Sequence, residues 1–375
     1  MQKSVVICGF KRSPMHFANK GDLAKTRPDD MAAEIVKALI NETGVDVNDI
    51  EDLIMGCAFP EAEQGFNIAK LVVQNADLPD SIAGATINRF CGSSMTAIHT
   101  AAGAINADAG EVFICAGVES MSRIPMGGFN PMPNPALFEK HPAAYIGMGE
   151  TAENLVKKYD IKREDQEEFA VNSHHKAAAA AKDGKFDDEI VPIGDVKADG
   201  TIRGDSSTEK LATLKPAFLE DGTVTAATSS PLTDGTAAVL VASEEYADKH
   251  GLPKLARIKS IAVAGCAADI MGIGPVPATK KALDRAGLTL DDIDLIELNE
   301  AFAAQGLSVI KELGADISKI NLDGGAIALG HPLGTSGARI TGKAASLLKR
   351  EGAKYALATM CIGGGQGVAT VLEAI

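Results

Sequence analysis

The chain repeats itself, and a repeat on this scale narrows its possible folds more than any other feature. One constant offset carries Gly92 onto Gly334, Ser94 onto Ser336, Ile98 onto Ile340, Ala102 onto Ala344, Gly110 onto Gly352 and Phe113 onto Tyr355. Both segments read as a turn, an amphipathic helix, a glycine stop and an apolar strand. A second echo lies upstream of each. Lys37-Ala38-Leu39 followed by Gly44, Val47, Asp49, Ile50, Leu53 and Ile54 parallels Lys281-Ala282-Leu283 followed by Gly287, Leu290, Asp292, Ile293, Leu295 and Ile296. Two echoes in the same order argue for duplicated halves.

Within each half, apolar runs (4–8, 52–58, 112–117, 236–243, 255–264, 294–298, 355–360 and 368–373) alternate with helical stretches (30–43, 67–76, 94–108, 276–286, 300–313 and 337–350). That alternation predicts an α/β fold of mostly parallel sheets covered by helices. Sites on such sheets gather in the turns beyond strand ends. Cys91 and the Gly334–Ser336 turn take equivalent places in the two halves. Residues 119–232 have no counterpart in the second half. They open with a Met/Pro/Gly-rich stretch from Met121 to Pro135, pass through helical Thr151–Tyr159 and Arg163–Lys182, and end in polar loops. The expected organisation is a first half over 1–118 completed by 233–253, an inserted lid or substrate platform over 119–232, and a second half over 254–375.

Composition removes several classes. The 375 residues carry a net charge of −14 with no Lys/Arg stripe, which argues against nucleic acid as partner. No apolar run approaches the ~20 residues that span a bilayer, so no membrane insertion is expected. Residues 1–10 read straight into a strand rather than a leader, which points to the cytoplasm. The six cysteines (Cys8, Cys57, Cys91, Cys115, Cys266, Cys361) form no C-x-x-C pair and are expected as free thiols, with Cys8 and Cys115 in apolar strands as core residues. No metal is expected, because the sole close His/Cys pair is His174-His175, on a helix read as solvated.

Chemistry concentrates in three glycine-rich turns. Cys91 lies in Asn88-Arg89-Phe90-Cys91-Gly92-Ser93-Ser94-Met95, between a strand ending at Ile87 and a helix start. Unpaired N–H groups and the positive end of a helix dipole there would stabilise thiolate. His331 lies in Gly330-His331-Pro332-Leu333-Gly334, a rigid loop that aims the ring, and neutral imidazole can take the Cys91 proton. Cys361 follows the strand Tyr355–Met360 and precedes a glycine run. A second thiol suits proton exchange with carbon, as when a C–C bond beside a thioester breaks to leave an enolate. Gly363 can add an oxyanion donor from the same loop. Asn299 ends another strand and can hold a water or a carbonyl oxygen. Glu300 reads equally as a helix cap or a catalytic carboxylate.

These segments resemble the thiolase family, which cleaves or forms 3-ketoacyl-CoA thioesters. The resemblance runs over Asn88–Met95, Thr225–Gly235, Asn299–Gln305, Gly324–Arg339 and Thr359–Gly367. The Cys91 segment, Gln64-Gly65-Phe66-Asn67-Ile68-Ala69 and Gly147-Met148-Gly149 look closest to bacterial degradative 3-ketoacyl-CoA thiolases of fatty-acid oxidation. The resemblance implies two similar halves in a five-layer α-β-α-β-α body, with an inserted loop domain over the site. It implies that Cys91 is acylated, that His331 is its activating base, and that Cys361 exchanges a proton with acetyl-CoA. His331 with a water on Asn299 would form one oxyanion site, and the N–H groups of Cys91 and Gly363 the other. Ser230, Ala301 and Phe302 would line the pantetheine arm, Met148 the acyl group, and Arg203 and Phe218 the nucleotide end. The implied partners are 3-ketoacyl-CoA and coenzyme A as substrates, with no permanently bound cofactor. A homodimer or homotetramer is implied, and association with a hydratase/dehydrogenase subunit.

Acetoacetyl-specific relatives carry His before the Met of the loop domain, where this chain has Gly147, and basic residues near the expected CoA phosphates are few. The alternative within the family is an acetoacetyl-CoA thiolase working in the condensing direction. A decarboxylating condensing enzyme on an acyl carrier protein would pair one Cys with His/His or His/Asn, against which Cys361 speaks. A non-catalytic acyl-CoA-binding subunit and a Cys/His hydrolase are the readings from other classes.

Overall fold

A computed structural model describes residues 3–375. The first half contains β1 (Val5–Arg12), β2 (His16–Phe17), α1 (Pro28–Thr43), β3 (Asp52–Gly56), α2 (Ile68–Asn75), β4 (Ala83–Ile87), α3 (Ser93–Asn106) and β5 (Val112–Ser120). Helices α4 (Pro135–Lys140), α5 (Met148–Tyr159), α6 (Arg163–Lys182) and α7 (Thr208–Ala212) precede β6 (Thr233–Ser243) and α8 (Glu244–His250). The second half contains β7 (Ala256–Gly265), α9 (Pro275–Ala286), β8 (Leu295–Leu298), α10 (Ala303–Leu313), α11 (Ala326–Leu329), α12 (Ser336–Glu351), β9 (Tyr355–Ile362) and β10 (Gln366–Glu373). The punctuation of α1 shows why such helices stand where they do. Pro28 opens it, Asp29 and Asp30 meet its N-terminal dipole, and Gly44 ends it in the left-handed conformation.

The strands run β4-β3-β5-β6-β1-β7-β10-β9-β8. The crossover helices make β3 parallel to both β4 and β5, and β8 parallel to β9, but the other five pairs along this order are antiparallel, so the expected mostly parallel sheet is not what forms: strand–helix alternation does not fix the direction of neighbours that no crossover helix joins. Helix α1 covers the outer face of the first half-sheet and α9 that of the second. Between the two half-sheets, α3 and α12 pack on each other. The layers are therefore α-β-α-β-α.

Two details go beyond the expected duplication. The half-sheets fuse into one through β1 and β7, joined only by Val6↔Arg257 and Ile7↔Ala256. Alternation along the chain reports which strands are covered, not which edges meet, so this seam was invisible to it. The second half also reduces the counterpart of β4 to one parallel bridge, Ile296↔Ile320, because the chain turns away at Asn321 with φ 47°.

The central helices carry the site. Ser94 Oγ donates to the Thr335 carbonyl (3.1 Å) and accepts from Ala338 N–H (2.8 Å), so the N-termini of α3 and α12 are bonded to each other. Of the helices between β5 and β6, α5 packs against α10, and α6 against α10 and α11.

Two local expectations need correction. Cys361 does not follow its strand but lies within β9, which continues to Ile362 because that residue pairs with Gln366 across the hairpin. The hairpin turns at Gly364 and Gly365, whose φ values of 81° and 86° favour glycine. His174 is not solvated. It is buried, accepts the Arg203 N–H at Nδ1 (3.1 Å), and burial lowers its pKa to about 4. All six cysteines are free, with Cys8 and Cys115 buried. Among the described residues no group of three or more His, Cys, Asp or Glu is placed to hold a metal ion. Nor is any helix there long and apolar enough to cross a membrane.

Candidate active site

The turn holding Cys91 joins β4 to α3 and is locked by its own polar groups. Phe90 N–H donates to Asn88 Oδ1 (2.8 Å), Arg89 N–H to Ser93 Oγ (2.9 Å), and Ser93 Oγ to the Phe90 carbonyl (2.6 Å). The Cys91 sulfur is met by the N–H groups of Gly363 and of Cys91 itself. Sequence reasoning expects such donors to favour thiolate. Burial wins instead and pushes the thiol up to about 11, against the pull of the two N–H groups, with Glu119 adding to the rise.

His331 emerges from Gly330, whose φ of 97° turns the chain into the pocket. Its N–H donates to Thr233 Oγ1 (3.2 Å). Ring Nδ1 lies 2.6 Å from Ser336 Oγ, which in turn is 3.1 Å from the Pro332 carbonyl. The single hydroxyl proton must go to that carbonyl, which can only accept, so Nδ1 carries the ring proton and donates to Ser336. Nε2 is then the acceptor nitrogen, and it takes a hydrogen bond from Asn299 Nδ2 (3.3 Å). Burial lowers the imidazole pKa to about 3, with Arg339 acting in the same direction. The ring is a neutral base with its lone pair on Nε2. Among the described residues no hydrogen bond joins it to the Cys91 sulfur; the two loops are tied through Ser94 and Thr335.

Asn299 continues β8, its N–H donating to the Thr359 carbonyl of β9 (3.1 Å), two residues before Cys361 on the neighbouring strand. Burial raises the Cys361 thiol well above its ordinary range, and the Cys91 sulfur beside it adds to this. Cys361 shares an apolar cluster with Ala301, Phe302 and Met271, against which Met148 packs. Phe218 meets Phe302 edge-on, with centroids 5.8 Å apart at 79°. Ser230 donates to the Ala301 carbonyl through both N–H (3.0 Å) and Oγ (3.1 Å). Arg203 takes other partners. Its guanidinium lies 5.1 Å from the Phe17 ring centroid and its N–H meets His174, both outside that cluster.

Several supporting residues escaped sequence reasoning. Buried Glu119 accepts from Ala58 N–H (2.7 Å), Gly334 N–H (2.8 Å) and Gln64 Nε2 (2.8 Å), pinning the end of β5 to the turn after His331. Its signal is an acid in an otherwise apolar strand. The repeat marks Ser336 but not its contact with the His331 ring, and Asn321 left no comparable signal. Glu300 accepts from Ser173 Oγ (2.7 Å), Asn321 Nδ2 (2.7 Å) and the Ile327 N–H (3.1 Å). It does not cap its own helix, since α10 begins at Ala303 with no side-chain cap; it fastens the start of α11 instead, just ahead of His331.

These shifts predict how Cys91 alkylates. With its thiol near 11, iodoacetamide labelling of the Cys91 peptide should rise roughly tenfold per pH unit between 7 and 9. A rate already level at neutral pH would mean a preformed thiolate, contrary to this geometry.

Comparison with known proteins agrees along the whole chain. Residues 5–245 match the family model "Thiolase, N-terminal domain" and residues 252–374 match "Thiolase, C-terminal domain". The 3-ketoacyl-CoA thiolase of Bacillus subtilis (strain 168) is 47% identical over 390 residues, covering 100% of both chains. That of Aliivibrio fischeri is 50% identical over 386 residues and 99% of each chain. Among solved structures, the Bacillus anthracis acetyl-CoA acetyltransferase superposes with a TM-score of 0.92 at 41% identity, covering 100% of this chain and 99% of that one. Human mitochondrial 3-ketoacyl-CoA thiolase in complex with CoA gives 0.92 at 39% identity, covering 100% and 98%.

Proposed function

The chain belongs to the thiolase family, and from that premise we infer that it is a 3-ketoacyl-CoA thiolase, an acyltransferase that uses CoA to cut 3-ketoacyl-CoA into acetyl-CoA and a shortened acyl-CoA. The observation that supports this is the nearness of two buried thiols: the N–H of Gly363, two residues after Cys361, meets the Cys91 sulfur, and Cys91 helps raise the Cys361 thiol. In our reading His331 Nε2 takes the Cys91 proton as the sulfur attacks the 3-keto carbon. The N–H groups of Cys91 and Gly363, and His331 with a water on Asn299, steady the two oxyanions. The C2–C3 bond breaks, and its electron pair becomes the enolate of acetyl-CoA, which takes the proton of Cys361. The thiol of free CoA gives up its proton to the same groups and takes the acyl group from Cys91, which restores both cysteines.

Ser230, Ala301, Phe302 and Met148 would line the pantetheine arm and acyl group; their placement around Cys361 supports this. Phe218 and Arg203 would meet the nucleotide end, and residues 119–232 would form the substrate platform. The reading carries with it a role in fatty-acid oxidation in the cytoplasm, no resident cofactor, and a homodimer or homotetramer able to associate with a hydratase/dehydrogenase subunit.

Incubation with a 3-ketoacyl-CoA in the absence of free CoA should add one acyl mass to the Cys91 peptide. Label on another residue, with Cys91 bare, rules the scheme out. Similarity to the acetyl-CoA acetyltransferase favours a second reading, condensation to acetoacetyl-CoA. Gly147 speaks for the first, and rates across C4 to C16 3-ketoacyl-CoAs separate the two: the second reading expects turnover at C4 alone.

A further inference from the structure

We propose that Phe90, backed by Phe59, is a specificity-determining residue: the two rings form an aromatic floor for the first methylenes of an unbranched acyl chain bound to Cys91. The inference rests on the acyl-enzyme reading above and adds the class of acyl group.

The backbone argues first. Phe90 has φ 43°, a left-handed conformation unfavourable for a bulky side chain and natural to glycine or asparagine. Asn88 Oδ1 and Ser93 Oγ hold it there. The turn needs that conformation, but it does not need a benzene ring, so the ring calls for its own explanation.

The ring's position supplies one. Phe90 is 39% exposed although the next residue is the buried nucleophile. One face packs on the partly buried Phe59, with centroids 5.9 Å apart and planes tilted by 43°. A Cβ set on Gly363 would stand 3.6 Å from Phe90 Cδ2 and 3.6 Å from Met148 Sδ. Phe90 and Met148 therefore border the same Gly363 whose N–H meets the Cys91 sulfur. An acyl group on that sulfur has these side chains as neighbours. A phenyl ring and a thioether offer apolar area and no strong hydrogen-bond donor, which suits an alkyl chain rather than a hydroxylated one.

The test is kcat/KM for C4, C8 and C12 3-ketoacyl-CoAs with the wild type, Phe90→Gly and Phe59→Ala. Glycine takes φ 43° without strain, which offsets the lost contact with Phe59, so Phe90→Gly should still fold and melt within a few degrees of the wild type. Its C12-to-C4 ratio of kcat/KM should fall roughly tenfold or more, because only the longer chain loses contact along its methylenes. Phe59→Ala, with an ordinary backbone at that position, should lower the ratio in the same direction by less. A ratio that stays level in both folded variants overturns the proposal. So does one that rises, which would make the ring a barrier instead of a floor. A wild type that cleaves none of the three substrates refutes the thiolase reading itself, an outcome distinct from either.

Discussion

Replacing His331 with alanine should lower kcat/KM for thiolysis by roughly 10³-fold at pH 7, within the usual range for a lost general base. The reason lies in the pair of perturbed groups. Burial holds the Cys91 thiol near 11 and the imidazole near 3, so at neutral pH both are uncharged and no thiolate waits in the pocket. The proton must leave during attack, and Nε2 is the nitrogen that the Ser336 contact leaves without a proton. Without the ring, the small thiolate fraction has to react alone. That fraction grows about tenfold per pH unit below its pKa, so the gap between variant and wild type should narrow as pH rises from 7 to 9. A gap that stays constant over that range would remove His331 from the role of base.

Replacing Cys361 with alanine should have an effect as large on cleavage and almost none on simple exchange. Breaking C2–C3 leaves an enolate with no proton source once the second thiol is gone, and thiolysis should drop by about 10³-fold or more. Transfer of a saturated acyl group from its CoA ester to Cys91 breaks no carbon–carbon bond and should survive within a fewfold. Intact-protein mass spectrometry on Cys361→Ala with butyryl-CoA reads that exchange directly. Serine at the same position should not rescue cleavage, because a hydroxyl titrates far too high to exchange a proton near neutrality. Full turnover by either variant would show that the acid lies elsewhere.

Much of this molecule can be read before it is folded. The duplication is legible because Gly92/Gly334 and Ser94/Ser336 begin helices that must be built alike. The site segments are legible because nucleophile, base and donors need particular residue types in tight turns. The net state of Cys91 is another matter. Its N–H donors are local and foreseeable, while the desolvation that outweighs them depends on how closely three distant segments shut around one sulfur. Glu119 and the Ser336–His331 contact were missed for a related reason. Glu119 finds Gly334 far along the chain, and a carboxylate at a strand end looks the same whether it faces water or a catalytic loop. Ser336 touches His331 only because Pro332 bends the loop back within one helical turn. The β1–β7 seam rests on two residue pairs, too small a contact to leave a pattern in the chain.

The division of the pocket has a consequence for folding. Cys91 belongs to the first half, while Asn299, His331, Cys361 and Gly363 come from the second, the last two in or beside the final hairpin of the chain. In the proposed scheme, a polypeptide folded only through its first half would hold Cys91 without the groups that arm it. Reactivity toward thioesters would then require β9 and β10 to dock, so that joining the two halves and arming the sulfur become one event.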